Sequence, residues 1–139
     1  MEIDVALLAD AATIDAAGKI NILGAFDRIE VQGFPAQHPR ITLVLRFSGG
    51  LGDVGGHDVR LSMRGPKGEQ VFGINGQIQV SAGPPTAGGL FRLPHVINLD
   101  GIVFQSPGSY AFDVSVDTRM LVTVPLLVAG PERGRAAQA

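Results

Sequence analysis

Hydrophobic and polar residues alternate with a period of two along most of this chain. The clearest example begins after Pro107-Gly108, where every second residue from Tyr110 to Val116 is apolar and the residues between are small or acidic. Because successive side chains of a strand point to opposite faces, this pattern predicts a half-buried β-strand. The Pro-Gly pair before it fits a type II turn, since Pro presets φ and Gly accepts the positive φ that follows.

The same scheme recurs from end to end. Loops rich in Gly and Pro are predicted at 33–39, 48–56 and 81–89, with turns at 65–68, 100–101 and 117–119. The pattern predicts a single antiparallel β-sandwich of Greek-key or jelly-roll type over residues 1–130, with a flexible polar tail at 131–139. Its eight or nine strands lie near 2–11, 19–26, 41–47, 57–64, 72–80, 91–99, 102–104, 110–116 and 120–128.

Four details of the sequence make sharper predictions. In the first strand, Ile3, Val5 and Leu7 are expected to point inward. The inward phase slips by one residue between Asp27 and Ile29, which indicates either a β-bulge or a strand that crosses from one sheet to the other.

The glycine-rich segment 48–56 is expected to close a hairpin around Gly52. The strands on either side would then pair, and Arg46 would face Asp58 on the outer face of the sheet.

Tyr110, the only tyrosine, starts a strand directly after a turn. This is the position of the tyrosine corner in Greek-key sandwiches. Its ring is therefore expected to be buried, with its hydroxyl bonded to a backbone group several residues upstream.

Composition limits the partners that the protein can have. Only 17% of residues are charged, against about 25% in an average soluble domain, and the net charge is −2. A surface short of charge favours self-association, whereas nucleic acid and acidic membranes gain no long-range attraction. Aromatic residues are 6%, with no tryptophan, and Phe47, Phe72 and Phe112 fall in the inward phase, so no stacking platform for bases is predicted.

The chain has no cysteine, which rules out disulfides, thiolate metal sites and cysteine nucleophiles. Two acidic residues, Glu2 and Asp4, stand where a signal peptide would be basic, and no apolar run reaches the roughly 20 residues of a membrane helix. We therefore expect a cytoplasmic protein that does not enter a membrane, with export by a route that needs no signal peptide or a location in a particle as the open alternatives.

The histidines and aspartates form no recognisable metal motif. The spacings of His38, His57 and His95 fit no metal-ligand pattern, and His57 is expected to hydrogen-bond a loop at the end of the sandwich. The roles of the other two stay open. Aspartates near turns could in principle converge on Ca²⁺, but none has calcium-loop spacing and turn aspartates usually cap their own backbone; they are Asp15, Asp27, Asp53, Asp58, Asp100 and Asp117.

Other chemistry also lacks a motif. There is no Gly-x-Ser-x-Gly elbow, and the glycine-rich segment lacks the Gly-Lys-Ser/Thr ending of a phosphate-binding loop. We predict no catalytic residue, no metal ligand and no cofactor.

Some apolar residues fall in the outward phase: Leu8, Val44, Val71, Val96, Leu121 and Leu127. The last strand also contains Pro125, which cannot donate to a strand ladder and therefore marks an edge strand. An apolar edge is either covered or sticky. Leu121, Pro125 and Leu127 are thus the candidate interaction residues.

The order of motifs resembles an uncharacterised family of small bacterial proteins. The resemblance begins with Ala-Asp-Ala-Ala at 9–12 and Gly-Lys-Ile-Asn-Ile-Leu-Gly-Ala-Phe-Asp-Arg-Ile at 18–29. It continues at Phe34-Pro35, His38-Pro39, Gly56-His57 and Pro107-Gly108-Ser109-Tyr110. The resemblance implies a β-sandwich and a bacterial source, and it implies no activity.

These observations predict a non-enzymatic protein-interaction or structural module, most simply a homo-oligomer, that binds itself or another bacterial protein. The alternative is a module that binds a small ligand, a carbohydrate or a calcium-linked one, through the loops at 33–39 and 81–89. An enzyme has the least support.

Overall fold

The computed structural model describes residues 1–131, so the predicted tail beyond Pro131 lies outside the described residues. Nine strands form in this part of the chain, and the only helical residues are two single turns at 51–53 and 85–87. No helix among the described residues is long and apolar enough to cross a membrane. The strands are β1 (Glu2–Ile14), β2 (Ile20–Phe26), β3 (Arg28–Glu30), β4 (Ala36–Gly49), β5 (Gly55–Arg64), β6 (Gln70–Val80), β7 (Phe91–Phe104), β8 (Gly108–Val116) and β9 (Arg119–Ala129).

The strands form two sheets that pack face to face, which confirms the predicted β-sandwich. The four-stranded sheet has the order β2-β1-β4-β7, and the five-stranded sheet has the order β3-β9-β8-β5-β6. All pairs are antiparallel except β3 with β9, which is parallel. Inward side chains from both sheets form one core, in which Phe47, Phe104 and Phe112 are completely buried.

The phase slip at Asp27 marks a change of sheet, one of the two predicted alternatives. The chain leaves the four-stranded sheet with β2 and enters the five-stranded sheet with β3, separated by Asp27 alone. The Asp27 carbonyl accepts a hydrogen bond from the Leu127 amide at 2.9 Å, which anchors β3 beside β9.

Two predicted hairpin turns are present. At 65–68, the Gly68 amide donates to the Gly65 carbonyl at 3.0 Å, and β5 pairs with β6 on either side. Between β8 and β9 the turn consists of Asp117 and Thr118, with φ of 49° and 70°. Positive φ at both positions is the signature of a type I′ turn, which matches the twist of the flanking strands.

Three predicted connections are wrong. Residues 36–39 belong to β4 and are not a loop. Asp100-Gly101 is not a turn, because β7 runs through it and Asp100 stays in register with Arg40 of β4. Gly101 has φ of 69°, so it bends the strand without ending it. The predicted type II turn at Pro107-Gly108 is absent. Gly108 is the first residue of β8 and has φ of 141°, whereas a type II turn requires φ of roughly 80°.

The predicted hairpin around Gly52 is also wrong. The segment after β4 carries the chain to the other sheet, so β4 and β5 do not pair. Arg46 instead holds Asp4 of β1, with nitrogen–oxygen distances of 2.8 and 3.1 Å, and Arg92 contacts the same carboxylate at 3.2 Å. Asp58 accepts a hydrogen bond from Gln77 of β6.

A β-bulge inverts the predicted facing of β1. The register with β4 shifts between Ile3 and Val5, so one extra residue enters β1. After the shift, Leu8 points into the core with no exposed surface, and Leu7 lies on the outer face opposite Val44. Val44 is on the outer face as expected, yet it is completely buried because Leu7 and Val96 flank it in register.

Candidate functional site

The sandwich is open along one side, between the edge strands β6 and β7. These strands end their respective sheets and make no ladder with each other. Between them runs a groove of about 750 Å³. It continues into an apolar hollow of about 220 Å³, and Ile74 lines both spaces. We call this surface the β6–β7 groove; its apolar lining includes Phe72, Ile74 and Ile78 of β6 and Ile97, Leu99 and Ile102 of β7.

Ile74 is the most informative residue of the groove. It pairs in register with Leu61, whose side chain is in the core, and so it points to the inner face of its sheet. Nevertheless 46% of its surface is exposed. An inward residue is exposed to this extent because β6 and β7 do not close over it. Gly76 shares the inward phase, and a Cβ built there would meet no atom within 4 Å.

The sequence did not reveal this groove. The sequence predicts that Phe72 points inward, but alternation reports the direction of a side chain and not what covers it. The run of uncharged residues through β6 was the available signal, since an edge strand usually carries charges.

A second apolar surface lies on the hairpin of β1 and β2. Beyond the Ala9–Thr42 pair, β1 leaves β4 and pairs with β2 alone. Ile14 and Ile22 lie on the same face of this projecting hairpin and are 41% and 40% exposed.

His57 holds the end of the sandwich, as predicted. Its Nδ1 lies 2.6 Å from an Asp117 carboxylate oxygen, and its Nε2 lies 2.6 Å from the Asp53 carbonyl oxygen. Both partners can only accept, so both hydrogen bonds form together only when the ring carries two protons. Asp117 foremost, and then the Asp53 carbonyl, raise the pKa of His57 above its ordinary value of 6.5. The ring thus links Asp117 to the segment at Asp53, and we call these three residues the His57 clasp.

The other histidines lie far from this clasp in the sequence and in different elements. His38 of β4 packs against Phe26, with ring centroids 6.3 Å apart. His95 of β7 lines the apolar hollow of the β6–β7 groove. Among residues 1–131, no group of three or more His, Cys, Asp or Glu side chains could hold a metal ion.

Several carboxylates of the predicted set have partners within the chain. Asp15 accepts hydrogen bonds from the Ala17 and Lys19 amides, and Asp100 pairs with Arg40 at 2.6 and 3.2 Å. Asp113 of β8, which is outside the predicted set, is buried beneath Arg64, which holds it at 2.7 and 3.1 Å and lowers its pKa.

The two loops proposed for ligand binding lie at opposite ends of the sandwich. Ala36 pairs with Phe104 at one end of the β4–β7 ladder, and Gly49 pairs with Phe91 at the other. Segment 33–39 adjoins the first end and segment 81–89 adjoins the second. At about 3.3 Å per residue the two ends are roughly 40 Å apart, so the segments do not form one site.

The three candidate interaction residues of β9 differ in exposure. Leu127 is 39% exposed, and Pro125 is exposed beside the start of β3. Because the Leu127 amide points to Asp27, the Pro125 nitrogen two residues earlier faces the same outer edge, where β9 has no partner.

Leu121, by contrast, was expected on the outer face and packs against the core. The register of β8 and β9 shifts there, since Val114 pairs with Val122 and Ser115 with Met120. Leu121 is the extra residue of this bulge, and the bulge turns its side chain inward.

The fold and the groove define a class: a nine-stranded β-sandwich with one open side. The chain belongs to a family of unknown function (DUF6941), whose model matches residues 4–129. No curated protein matches the chain.

Proposed function

We propose that this protein is a non-enzymatic protein-interaction module whose contact surface is the β6–β7 groove. The observation that carries the proposal is Ile74, an inward-facing residue of an edge strand with 46% of its surface exposed. Exposed apolar surface beside a free strand edge gives a partner both hydrophobic area and unpaired backbone groups.

The electrostatics of the groove support a protein partner over a charged ligand. Its lining is mostly apolar and comes largely from β6 and β7, and its charged members are Glu69 and Asp100. Arg40 neutralises Asp100, and Glu69 accepts a hydrogen bond from the Lys67 amide. A partner of matching apolar character would therefore lose little hydration energy of charged groups on binding.

The non-enzymatic part of the proposal is supported by the arrangement of His57 and Asp117, the histidine–carboxylate pair found among residues 1–131. Both ring nitrogens of His57 are already engaged, by Asp117 and by the Asp53 carbonyl. A general base needs a free ring nitrogen to accept a proton.

We place the protein in the bacterial cytoplasm and expect its partner to be itself or another bacterial protein. The bacterial source is supported by the family resemblance of 9–12 and 18–29, and the cytoplasmic location by a chain whose folding needs no disulfide. Fractionation of the source cells tests the location.

Photo-crosslinking in cells tests the contact surface. Ile74 is replaced by p-benzoylphenylalanine, and the matched control carries the same label at Arg119, the exposed first residue of β9. We expect a discrete crosslinked species from position 74 that is absent from position 119. The same pattern from both positions, or no discrete species from position 74, would show that the groove is not a contact surface.

A further inference from the structure

We propose that the partner in the β6–β7 groove is a second copy of this chain, and that the two copies pair antiparallel through the free edges of β6 around a two-fold axis at Gly76. This inference rests on the proposed function, because it takes the groove as the contact surface. It adds the identity of the partner, the strand that binds it and the register.

The first argument is that β6 lacks the usual protection of an edge strand. It spans 11 residues, Gln70 to Val80, without a charge or a proline. Natural sheets protect exposed edges with charges, prolines, bulges or very short strands, because an open ladder pairs with other chains. Its one bulge lies at Val71, where the register with β5 shifts, so Phe72 to Val80 form a regular edge without such features. An edge of this length is expected to be covered.

Most other edges of the described sheets have such protection. β7 contains Pro94 and the charged residues Arg92 and Asp100, and β9 has Pro125 at its outer edge. β3 is only three residues long. β2 also lacks charge and proline, but it spans seven residues against the eleven of β6. β6 is therefore the longest edge without a charge or a proline.

The second argument is that the side chains of β6 are complementary to a copy of themselves. With Gly76 on the axis, Asn75 lies opposite Gln77 of the second copy on the outer face. Within one chain the Asn75 Oδ1 accepts from Arg60 and the Gln77 Nε2 donates to Asp58. The Asn75 amide nitrogen is left to donate to the Gln77 amide oxygen of the second copy. On the inner face the exposed Ile74 would lie beside Ile78 of the second copy, which is already buried in its own core, so the added strand would extend a packed apolar surface over Ile74.

Electrostatics also permit this arrangement. The strand carries no charge from Gln70 to Val80, so two copies bring no like charges together along the shared ladder. Gly76 at the axis has open space on its inward side, and so the two strands can approach without a side-chain clash. The added strand would lie along the open side and cover Ile74.

Disulfide mapping tests the register. Because the chain has no cysteine, every disulfide must form between the introduced residues. Asn75→Cys and Gln77→Cys proteins, carrying tags of different size, are mixed and oxidised. We expect a disulfide-linked heterodimer. The matched control mixes Asn75→Cys with Val71→Cys, an exposed residue of the same strand that is six residues away from position 77. Equal crosslinking in both mixtures would overturn the register.

Sedimentation equilibrium tests the assembly itself. We expect the wild type to sediment as a dimer, with twice the chain mass of 14.5 kDa. Ile74→Lys should sediment as a monomer, because an inward lysine at a paired edge would bury a charge. Ile74→Val should stay dimeric, and circular dichroism should show that both variants are folded.

The outcomes separate this inference from the proposed function. A monomeric wild type whose position 74 still crosslinks to a different protein would overturn self-pairing and leave the groove as an interaction surface. A ring or filament would also overturn two-fold pairing, because it would require a head-to-tail contact such as the β1–β2 hairpin docking in the groove. A dimer that Ile74→Lys leaves intact would show that the contact lies elsewhere.

Discussion

At the residue scale, Tyr110 fixes the corner between β7 and β8. Its ring is buried and stands edge-on to Phe104, with ring centroids 5.0 Å apart. Its hydroxyl donates to the Ser106 carbonyl at 2.7 Å. Both features of the predicted tyrosine corner are therefore confirmed.

We predict that Tyr110→Phe lowers the free energy of unfolding by about 1 kcal/mol, the net value of a typical hydrogen bond. We expect no larger loss, because Ser106 is exposed and its carbonyl can accept a hydrogen bond from water once the tyrosine hydroxyl is removed. Urea denaturation measures the change, and Ser109→Ala, at an exposed neighbour, is the control. An unchanged midpoint would mean that the hydrogen bond contributes nothing to stability.

The His57 clasp predicts a pH dependence of stability. The folded-state pKa of His57 is raised, so its contribution is fully present below pH 6.5, the ordinary value, and is lost as the pH rises through the folded-state pKa. We predict that the melting temperature of the wild type falls over this range and that His57→Gln lacks this part of the fall.

The matched control for that experiment is His95→Gln, which removes an exposed histidine of β7. This variant should keep the pH dependence of the wild type. Nuclear magnetic resonance titration of the His57 ring supplies the folded-state pKa directly. A titration midpoint at or below 6.5 would contradict the doubly protonated clasp.

At the element scale, β-bulges decide which side chains of β1 and β9 enter the core. One extra residue in each strand reverses the facing of the residues beyond it. Uninterrupted alternation places Leu8 and Leu121 on the surface, but because of the bulges both contact the core.

We predict that Leu121→Asp destabilises the fold by more than Leu127→Asp does. The first substitution places a carboxylate against the core, whereas Leu127 is 39% exposed and its replacement can stay in water. Thermal melts of the two single variants measure the difference. Equal melting temperatures would mean that the bulge does not direct Leu121 inward in solution.

At the scale of the whole molecule, the two sheets share one core. Its residues come from both sheets, including Leu43 and Leu45 of β4 and Val114 and Leu126 of β8 and β9. Neither sheet can expose its inner face without exposing that of the other, so the sandwich is expected to unfold as a unit.

We predict that Leu43→Ala in one sheet and Leu126→Ala in the other each lower the free energy of unfolding by about 2–5 kcal/mol, the cost of a buried cavity. Tyr110 fluorescence reports on the five-stranded sheet, and far-ultraviolet circular dichroism reports on all strands. The two transitions should coincide in both variants. Separate transitions would show that one sheet stays folded after the other has unfolded.

The local structure of this protein could be predicted from the order of its residues. Alternation located the strands from Ile41 to Phe47 and from Tyr110 to Val116, and Gly and Pro located the turn at 65–68. These features depend on side-chain direction and backbone freedom, which are properties of neighbouring residues. The tyrosine corner and the His57 contact were predictable because each lies at a strand end where few arrangements are possible.

The tertiary structure alone decided which strands became neighbours. β4 and β5 follow each other in the sequence yet lie in different sheets. Arg46 therefore forms its salt bridge with Asp4 and not with Asp58. It also decided that β6 and β7 end their sheets without meeting, which leaves Ile74 exposed. Alternation has the same form in a central strand and in an edge strand, because it records the two faces of a strand and not the presence of a neighbour at its side.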